Sequence, residues 1–135
     1  MKFLLDSSTW IRSASEPQTI PSEVKKLLLP SSEDLGLSMI SIWEVAKKNQ
    51  IGKLPLSRPL SDWLTDALAA HVRVLPLTSE IIVDAMQLPE FPNHDPADEL
   101  IVATARAYDL TLITTDRILK NYSHARIHYF KPQGN

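Results

Sequence analysis

The sequence contains no cysteine. This absence excludes disulfide bonds, thiolate zinc sites and cysteine nucleophiles, and nothing points to an oxidising compartment. The chain begins with MKFLLDSSTW, in which only three apolar residues stand in a row before an aspartate. Such a run is too short for a signal-peptide core or a membrane span. We therefore expect a cytoplasmic protein that makes no membrane contact.

The chain also lacks an excess of positive charge. Its formal net charge is -2 at pH 7 and its pI is about 6.1. Proteins that bind nucleic acid through a broad positive field carry a strongly basic surface. Any nucleic-acid contact must therefore be local or bridged by a cation. The 135 residues have room for one domain, which we place at 1–135.

Short apolar runs alternate with longer helical patterns along the whole chain, without repeats or low-complexity tracts. This alternation predicts an α/β fold with a largely parallel sheet. The predicted strands cover residues 2–6, 35–40, 72–77, 110–114 and 126–130. The predicted helices cover residues 7–15 with serine caps, 22–29, 41–52, 61–71 with His71 on its apolar side, 79–88 capped by Thr78 or Ser79, 96–108 and 115–122.

Four acidic residues fall beside predicted strand ends or helix starts. Asp6 ends the first strand, Glu44 and Asp98 lie in first helical turns, and Asp116 follows the fourth strand. In an open α/β sheet these positions share one edge, where ligands bind. Clustered carboxylates repel one another unless a cation intervenes, and oxygen ligands suit Mg²⁺ or Mn²⁺. That chemistry is typical of phosphoryl transfer or phosphodiester hydrolysis.

A structural interpretation exists for most of these acids. Ser41 and Glu44 match a capping box, and Asp95 before Pro96 is a good N-cap. Asp98 and Asp116 could complement helix dipoles. Capping does not account for an aspartate at a strand end, so the combination favours a metal site. The neighbouring hydroxyls are either helix caps or groups that orient the acids or a phosphate: Ser7, Ser8, Thr114 and Thr115.

Four segments, taken in order, resemble the PIN-domain ribonucleases, and among them the VapC-like toxins of type II toxin-antitoxin systems. They are FLLDSSTWI at the start, SMISIWEVAKKNQIGKLPL (38–56), VLPLT (74–78) and DPADELIVATARAYDLTLITTD (95–116). The resemblance implies a three-layer fold with a central parallel sheet of about five strands flanked by helices. It also implies a metal-dependent endoribonuclease that forms a homodimer and is neutralised by a small antitoxin.

The resemblance assigns roles residue by residue. Asp6, Glu44, Asp98 and Asp116 match the family's catalytic acids, which hold Mg²⁺ or Mn²⁺, and Asp95 matches a neighbour of the metal site. A patch near Trp43 could receive an antitoxin helix, whereas Trp10 and Trp63 are expected in the core or an interface. Five basic residues are candidate contacts to the RNA backbone: Arg12, Lys47, Lys48, Lys53 and Arg117.

The chain departs from the family in the segment NHDPADE, which often reads HRDPFDR in relatives. Asn93 takes the histidine position, Ala97 the phenylalanine and Glu99 the arginine, so that negative charge is added beside the acids. DSS also replaces the more usual DT after the first aspartate. A haloacid-dehalogenase phosphatase would need a second aspartate two positions after Asp6, where this chain has Ser8. A receiver domain would need paired acids near the end of the first strand, and this chain has no such pair there. A catalytically idle PIN domain that acts as a protein- or RNA-binding regulatory module stays open.

Overall fold

The computed structural model describes residues 1–29, 35–69 and 72–134. The described strands are β1 (Phe3–Leu5), β2 (Leu35–Ser38), β3 (Arg73–Leu75), β4 (Thr111–Thr114) and β5 (Arg126–Tyr129). The described α-helices are α1 (Ser7–Ser15), α2 (Ser22–Lys25), α3 (Met39–Gln50), α4 (Leu60–Ala69), α5 (Ser79–Met86) and α6 (Pro96–Ala107). Two short 3₁₀ turns cover Pro17–Thr19 and Lys26–Leu28.

The strands form one sheet in the order β3-β2-β1-β4-β5, and every neighbouring pair is parallel. The central strand β1 places Leu4 between Gly36 on one side and Leu112 on the other. This arrangement confirms the predicted α/β fold with a parallel sheet of five strands. Because all strands run in the same direction, their carboxyl ends, and the residues that follow them, share one edge.

Helices cover both faces of the sheet, which gives the predicted three layers. On one face Leu5 and Val45 pack with Trp10 and Trp63, whose rings meet edge to face at 5.2 Å. A second cluster, which includes Val102 of α6, surrounds Leu4, Leu112 and other buried side chains. Burial of each large apolar side chain stabilises the fold by about 1.5–3 kcal/mol. The positions of α1, α3 and α6 beside the sheet edge are therefore fixed by the core.

The start of α3 differs from the prediction. Ser38, not Ser41, is the N-cap, and its hydroxyl accepts a hydrogen bond from Ile40 N at 3.3 Å. The helix therefore begins at Met39, and β2 ends at Ser38 instead of residue 40. The predicted capping box of Ser41 and Glu44 is wrong, because Glu44 falls in the second turn and its side chain is free to reach another element.

The helix predicted at 115–122 is also wrong. This segment is a series of turns closed by hydrogen bonds of three-residue spacing, such as Leu119 N to the Asp116 carbonyl at 3.1 Å. The Asp116 carboxylate also accepts from Ile118 N at 2.9 Å, so its side chain and its carbonyl both bond to the turn that follows. The predicted helix 22–29 is also shorter in the structure, because α2 passes into the 3₁₀ turn Lys26–Leu28.

Other predictions agree to within a few residues. Thr78 is the N-cap of α5, which was one of the two predicted alternatives. Helix α4 ends at Ala69 among the described residues, and the predicted placement of His71 lies outside them. Trp10 and Trp63 are buried, whereas Trp43 is 56% exposed. Across 1–29, 35–69 and 72–134, we find no helix with the length and apolar character needed to cross a bilayer.

Candidate active site

Asp6 follows β1 and is the N-cap of α1, with backbone angles φ -76° and ψ 171°. Its Oδ1 accepts from Thr9 N at 2.8 Å and from the Ser8 hydroxyl at 2.9 Å, and its Oδ2 accepts from the Thr114 hydroxyl. The expectation that capping leaves this aspartate unexplained was wrong, and so was the prediction of serine caps for α1. Burial raises the pKa of Asp6, although the hydrogen bonds from Thr114, Thr9 and Ser8 oppose the shift.

Glu44 lies on α3, and its side chain is only 12% exposed. Its Oε1 accepts from the Ser7 hydroxyl at 2.5 Å, and its Oε2 lies 3.0 Å from Lys48 Nζ on the next turn. Ser7 is itself buried, and its hydroxyl lies 2.9 Å from that of Ser41. Because a serine has one hydroxyl proton, Ser7 gives it to the carboxylate and Ser41 supports Ser7. This contact brings α1 and α3 together at the sheet edge.

Asp95 is the N-cap of α6, as predicted, with Pro96 at the first helical position. Its Oδ1 accepts from Ala97 N at 2.9 Å and from Asp98 N at 3.4 Å. Asn93 precedes this cap, and its Nδ2 donates to Oδ2 of Asp98 at 3.2 Å. The first turn of α6 therefore carries a capping carboxylate and a second, part-buried carboxylate held by an amide.

The electrostatics of Asp98 show which carboxylates lie near one another. Burial is the largest cause that raises its pKa, and the negative charges of Asp95, Asp116 and Glu44 add to it, so that the pKa reaches about 7. The hydrogen bond from Asn93 opposes the rise. Two acids from other parts of the chain, Glu44 and Asp116, therefore share one region with Asp95 and Asp98.

The end of β4 connects this region to Asp6. Thr114, which donates to Asp6, also accepts from Asp116 N at 3.0 Å, and Thr115 lies 2.7 Å from the Ser8 hydroxyl. The four predicted supporting hydroxyls thus all contact a predicted acid or one another. We call the five carboxylates at this edge of the sheet the acidic rim: Asp6, Glu44, Asp95, Asp98 and Asp116.

The sequence of residues 3–125 matches the family described as PIN domain. This chain belongs to the PIN-domain family. It is 34% identical over 123 residues to the ribonuclease VapC22 of Mycobacterium tuberculosis strain H37Rv, a match that covers 91% of this chain and 93% of the relative.

Solved structures share the fold of this PIN domain. A DNA-bound VapBC from Salmonella typhimurium superposes with a TM-score of 0.73 at 18% identity, covering 96% of this chain and 98% of the other. VapBC2 from Rickettsia felis, bound to a promoter DNA fragment, gives a TM-score of 0.71 at 15% identity with the same coverage, 96% and 98%. At such identities the likeness establishes the fold alone.

The donor chemistry of the acidic rim limits which metal ions the PIN domain could hold. Within the described residues, no three His, Cys, Asp or Glu side chains are already grouped closely enough to hold a metal ion. The available donors are nevertheless carboxylate oxygens, which suit a hard divalent cation. Burial is the main cause of the raised pKa of Asp98, and the charges of Asp95, Asp116 and Glu44 add to it; a cation would neutralise these charges. By the chemistry of its donors, the acidic rim fits a hard divalent cation such as Mg²⁺ or Mn²⁺.

The five basic residues predicted to contact RNA differ in the partners that the structure gives them. Lys48 pairs with Glu44, and the exposed Arg117 follows Asp116 directly. The other three have partners outside the acidic rim or are simply exposed. Lys47 donates to Gln50 at 2.8 Å, Arg12 lies 4.0 Å from Glu16, and Lys53 is exposed.

Two residues near the acidic rim were not predicted as part of the site in these roles. Ser41 supports Ser7, and Asn93 holds Asp98. The sequence contains a signal for Asn93, since an Asn side chain often accepts from the backbone N–H two residues later, and Asp95 N makes this bond at 2.9 Å.

A cavity of about 620 Å³ between α1, α4 and the loop 55–58 is lined by Trp10 and Trp63 and by none of the rim carboxylates.

Proposed function

We propose that this chain is one PIN domain that acts as an endoribonuclease, hydrolysing RNA phosphodiester bonds with Mg²⁺ or Mn²⁺. The observation that carries the proposal is the set of contacts among acids at one edge of the sheet, where Thr114 bonds to both Asp6 and Asp116 N and Asn93 bonds to Asp98. Burial and the nearby carboxylates raise the pKa of Asp98 to about 7. Strongly perturbed acids in one cluster are typical of catalytic sites. The relative at 34% identity, which is named a ribonuclease, supports the choice of substrate.

Asp6, Glu44, Asp98 and Asp116 would hold the ion, directly or through water, with Asp95 beside it. When bound, a divalent ion lowers the pKa of a coordinated water and neutralises charge on the phosphate. This chemistry needs carboxylates held in fixed positions, and the chain's own side chains hold them. Thr114 and Ser8 fix Asp6 at the sheet edge.

Three further residues would act on Glu44 or on the RNA substrate. Ser7 fixes Oε1 of Glu44, so the carboxylate keeps one orientation in the partly buried site. Lys48 lies beside Oε2 and can exchange this partner for an RNA phosphate when the carboxylate acquires a cation. Arg117, exposed next to Asp116, is placed for a second phosphate contact. The two basic residues supply the local positive charge that the acidic chain otherwise lacks.

We propose further that the protein is the toxin of a toxin-antitoxin pair and that a small antitoxin covers the outer side of α3. Trp43 and Met39 are 56% and 45% exposed there, on the helix that carries Glu44. An antitoxin bound at this position would cover a side chain of the acidic rim.

A homodimer would use α5, where three apolar side chains are exposed: Ile82, Val83 and Met86.

Cleavage of total cellular RNA with mapping of the new ends tests the enzymatic proposal. The purified chain, free of antitoxin, is incubated with Mn²⁺ or with EDTA. We expect Mn²⁺-dependent fragments, and Asp98→Asn should lower cleavage by about 100-fold or more, beyond the usual effect of residues that only support a metal ligand. Glu99→Gln is the matched control, because it removes a carboxylate from the same helical turn that does not raise the pKa of Asp98.

Two results would contradict the proposal. Equal cleavage by the parent and Asp98→Asn would remove the acidic rim from the reaction. An absence of cleavage at any Mn²⁺ or Mg²⁺ concentration, with RNA or antitoxin binding intact, would favour the idle regulatory module instead.

A further inference from the structure

Asn93 lies in the loop before α6 and is part-buried. Its side-chain Oδ1 accepts from Asp95 N at 2.9 Å, and its Nδ2 donates to Oδ2 of Asp98 at 3.2 Å. The two ends of an amide are chemically different, because one only accepts and the other only donates. The bond from Asp95 N therefore fixes the orientation in which the NH₂ group faces the carboxylate.

This amide joins two neighbouring acids with different tasks. Asp95 caps α6 through its own Oδ1, while its backbone N–H is held by Asn93. Asp98 stands in the first turn of the same helix, close to the charges of Asp116 and Glu44. Within the described residues, Asn93 supplies the side-chain hydrogen bond that Asp98 receives. The loop, the cap and Asp98 are thereby linked into one unit.

We propose that Asn93 is a positioning residue that sets the rotamer of Asp98 for metal binding. It holds Oδ2 of the carboxylate in place and leaves Oδ1 for a cation or its bound water. Repulsion from the neighbouring carboxylates would otherwise favour rotation of Asp98 toward solvent. Partners that orient a metal ligand commonly change metal affinity by about 10- to 100-fold when they are removed. This inference rests on the proposed function.

The first experiment measures the Mn²⁺ dissociation constant by calorimetry for the parent, Asn93→Ala and Gln18→Ala. Gln18 is an exposed residue in the 3₁₀ turn that follows α1, away from Asp6 at the start of that helix, and it serves as a matched control. We expect Asn93→Ala to weaken binding by about 10- to 100-fold and the control to leave it unchanged. RNA cleavage by Asn93→Ala should return to within about threefold of the parent at saturating Mn²⁺, since a positioning residue acts through ligand occupancy.

A second experiment tests the contact without metal. Unfolding is measured in EDTA for Asn93→Ala, Asp98→Ala and the double variant, and a non-additive result is expected for two residues in direct contact. Mn²⁺ binding by Asn93→Ala within twofold of the parent would overturn the inference. So would a cleavage defect that saturating Mn²⁺ does not repair.

The two experiments separate the inference from the proposed function. If the parent binds no Mn²⁺ and cleaves no RNA, the proposed function is wrong, and the metal-positioning role falls with it. The unfolding cycle still decides whether Asn93 holds Asp98, because an additive result would show that no such coupling exists. If the parent binds and cleaves but Asn93→Ala matches it in both assays, only the inference fails.

Discussion

Asp98→Asn should make the metal-free protein more stable at alkaline pH while it removes activity. In the folded chain Asp98 is part-buried beside Asp95, Asp116 and Glu44, and its pKa is raised from 3.8 to about 7. Folding therefore brings a negative charge into an unfavourable environment whenever the carboxyl group is ionised. Asparagine has nearly the same shape and carries no charge, so this cost is absent in the variant.

The direction of this pH dependence follows from the linkage between proton binding and folding. Between the ordinary value of 3.8 and about 7 the folded chain binds the Asp98 proton more tightly than the unfolded chain, so the free energy of unfolding falls as pH rises through this window. The full difference between these two pKa values corresponds to about 4 kcal/mol. Because the carboxylate is only part-buried and solvent screens it, we expect a stabilisation of roughly 2 kcal/mol for Asp98→Asn at pH 8. The advantage should vanish near pH 4.

Urea unfolding of the parent and Asp98→Asn in EDTA at pH 4, 6 and 8 measures this effect. Glu99→Gln is the control for loss of a charge from the first turn of α6, and it should show no comparable dependence on pH. Added Mn²⁺ should stabilise the parent by mass action and leave Asp98→Asn unchanged. A variant no more stable than the parent at pH 8, or an advantage that is the same at pH 4, would refute the reasoning.

Three other predictions test the surroundings of Glu44. Ser7→Ala removes the donor to Oε1 of Glu44 and should slow single-turnover cleavage by about 10-fold. Ser13→Ala is the control and should have no effect, because the Ser13 hydroxyl of the parent only donates within α1, at 2.8 Å. Lys48→Gln frees Oε2, so Mn²⁺ titration should show tighter binding and RNA filter binding should weaken; tighter RNA binding would contradict this role. Trp43→Ala should change unfolding by less than about 0.5 kcal/mol but weaken antitoxin binding by about 10-fold or more in calorimetry, and unchanged affinity would exclude this surface.

The parts of the fold that follow from local signals were predictable. Asp95 before Pro96 specifies a helix start through side-chain capping and a fixed proline φ, and α6 begins there. The alternation of short apolar runs with helical patterns gave the parallel sheet, because each β-α unit encodes its own crossover. The carboxylates around Asp98 could be grouped from the same reasoning, since strand ends and helix starts share an edge.

Competition between equivalent local signals was not predictable. Ser38 and Ser41 both precede apolar residues, and pairing of β2 through Ser38 decided that α3 begins at Met39. Three positions later, Ser41 became a buried support for Ser7 instead of a cap. Such a contact depends on α1 and α3 meeting in space, which no spacing along the chain records. The segment after Asp116 is similar, because its spacing of apolar residues also fits a helix, whereas its backbone hydrogen bonds have the three-residue spacing of turns.

The acids of the rim differ in how the protein satisfies them, and this difference separates architecture from chemistry. Asp6 receives hydrogen bonds from Thr9, Ser8 and Thr114, so its position is set by the fold alone. Asp98 receives one from Asn93 and faces three negative charges. If the proposed divalent cation binds here, it would offset the repulsion at Asp98 that a single amide donor leaves. Asp6 is then the fixed carboxylate to which α1 is anchored, and Asp98 is the carboxylate whose unfavourable charge would favour binding of the proposed ion.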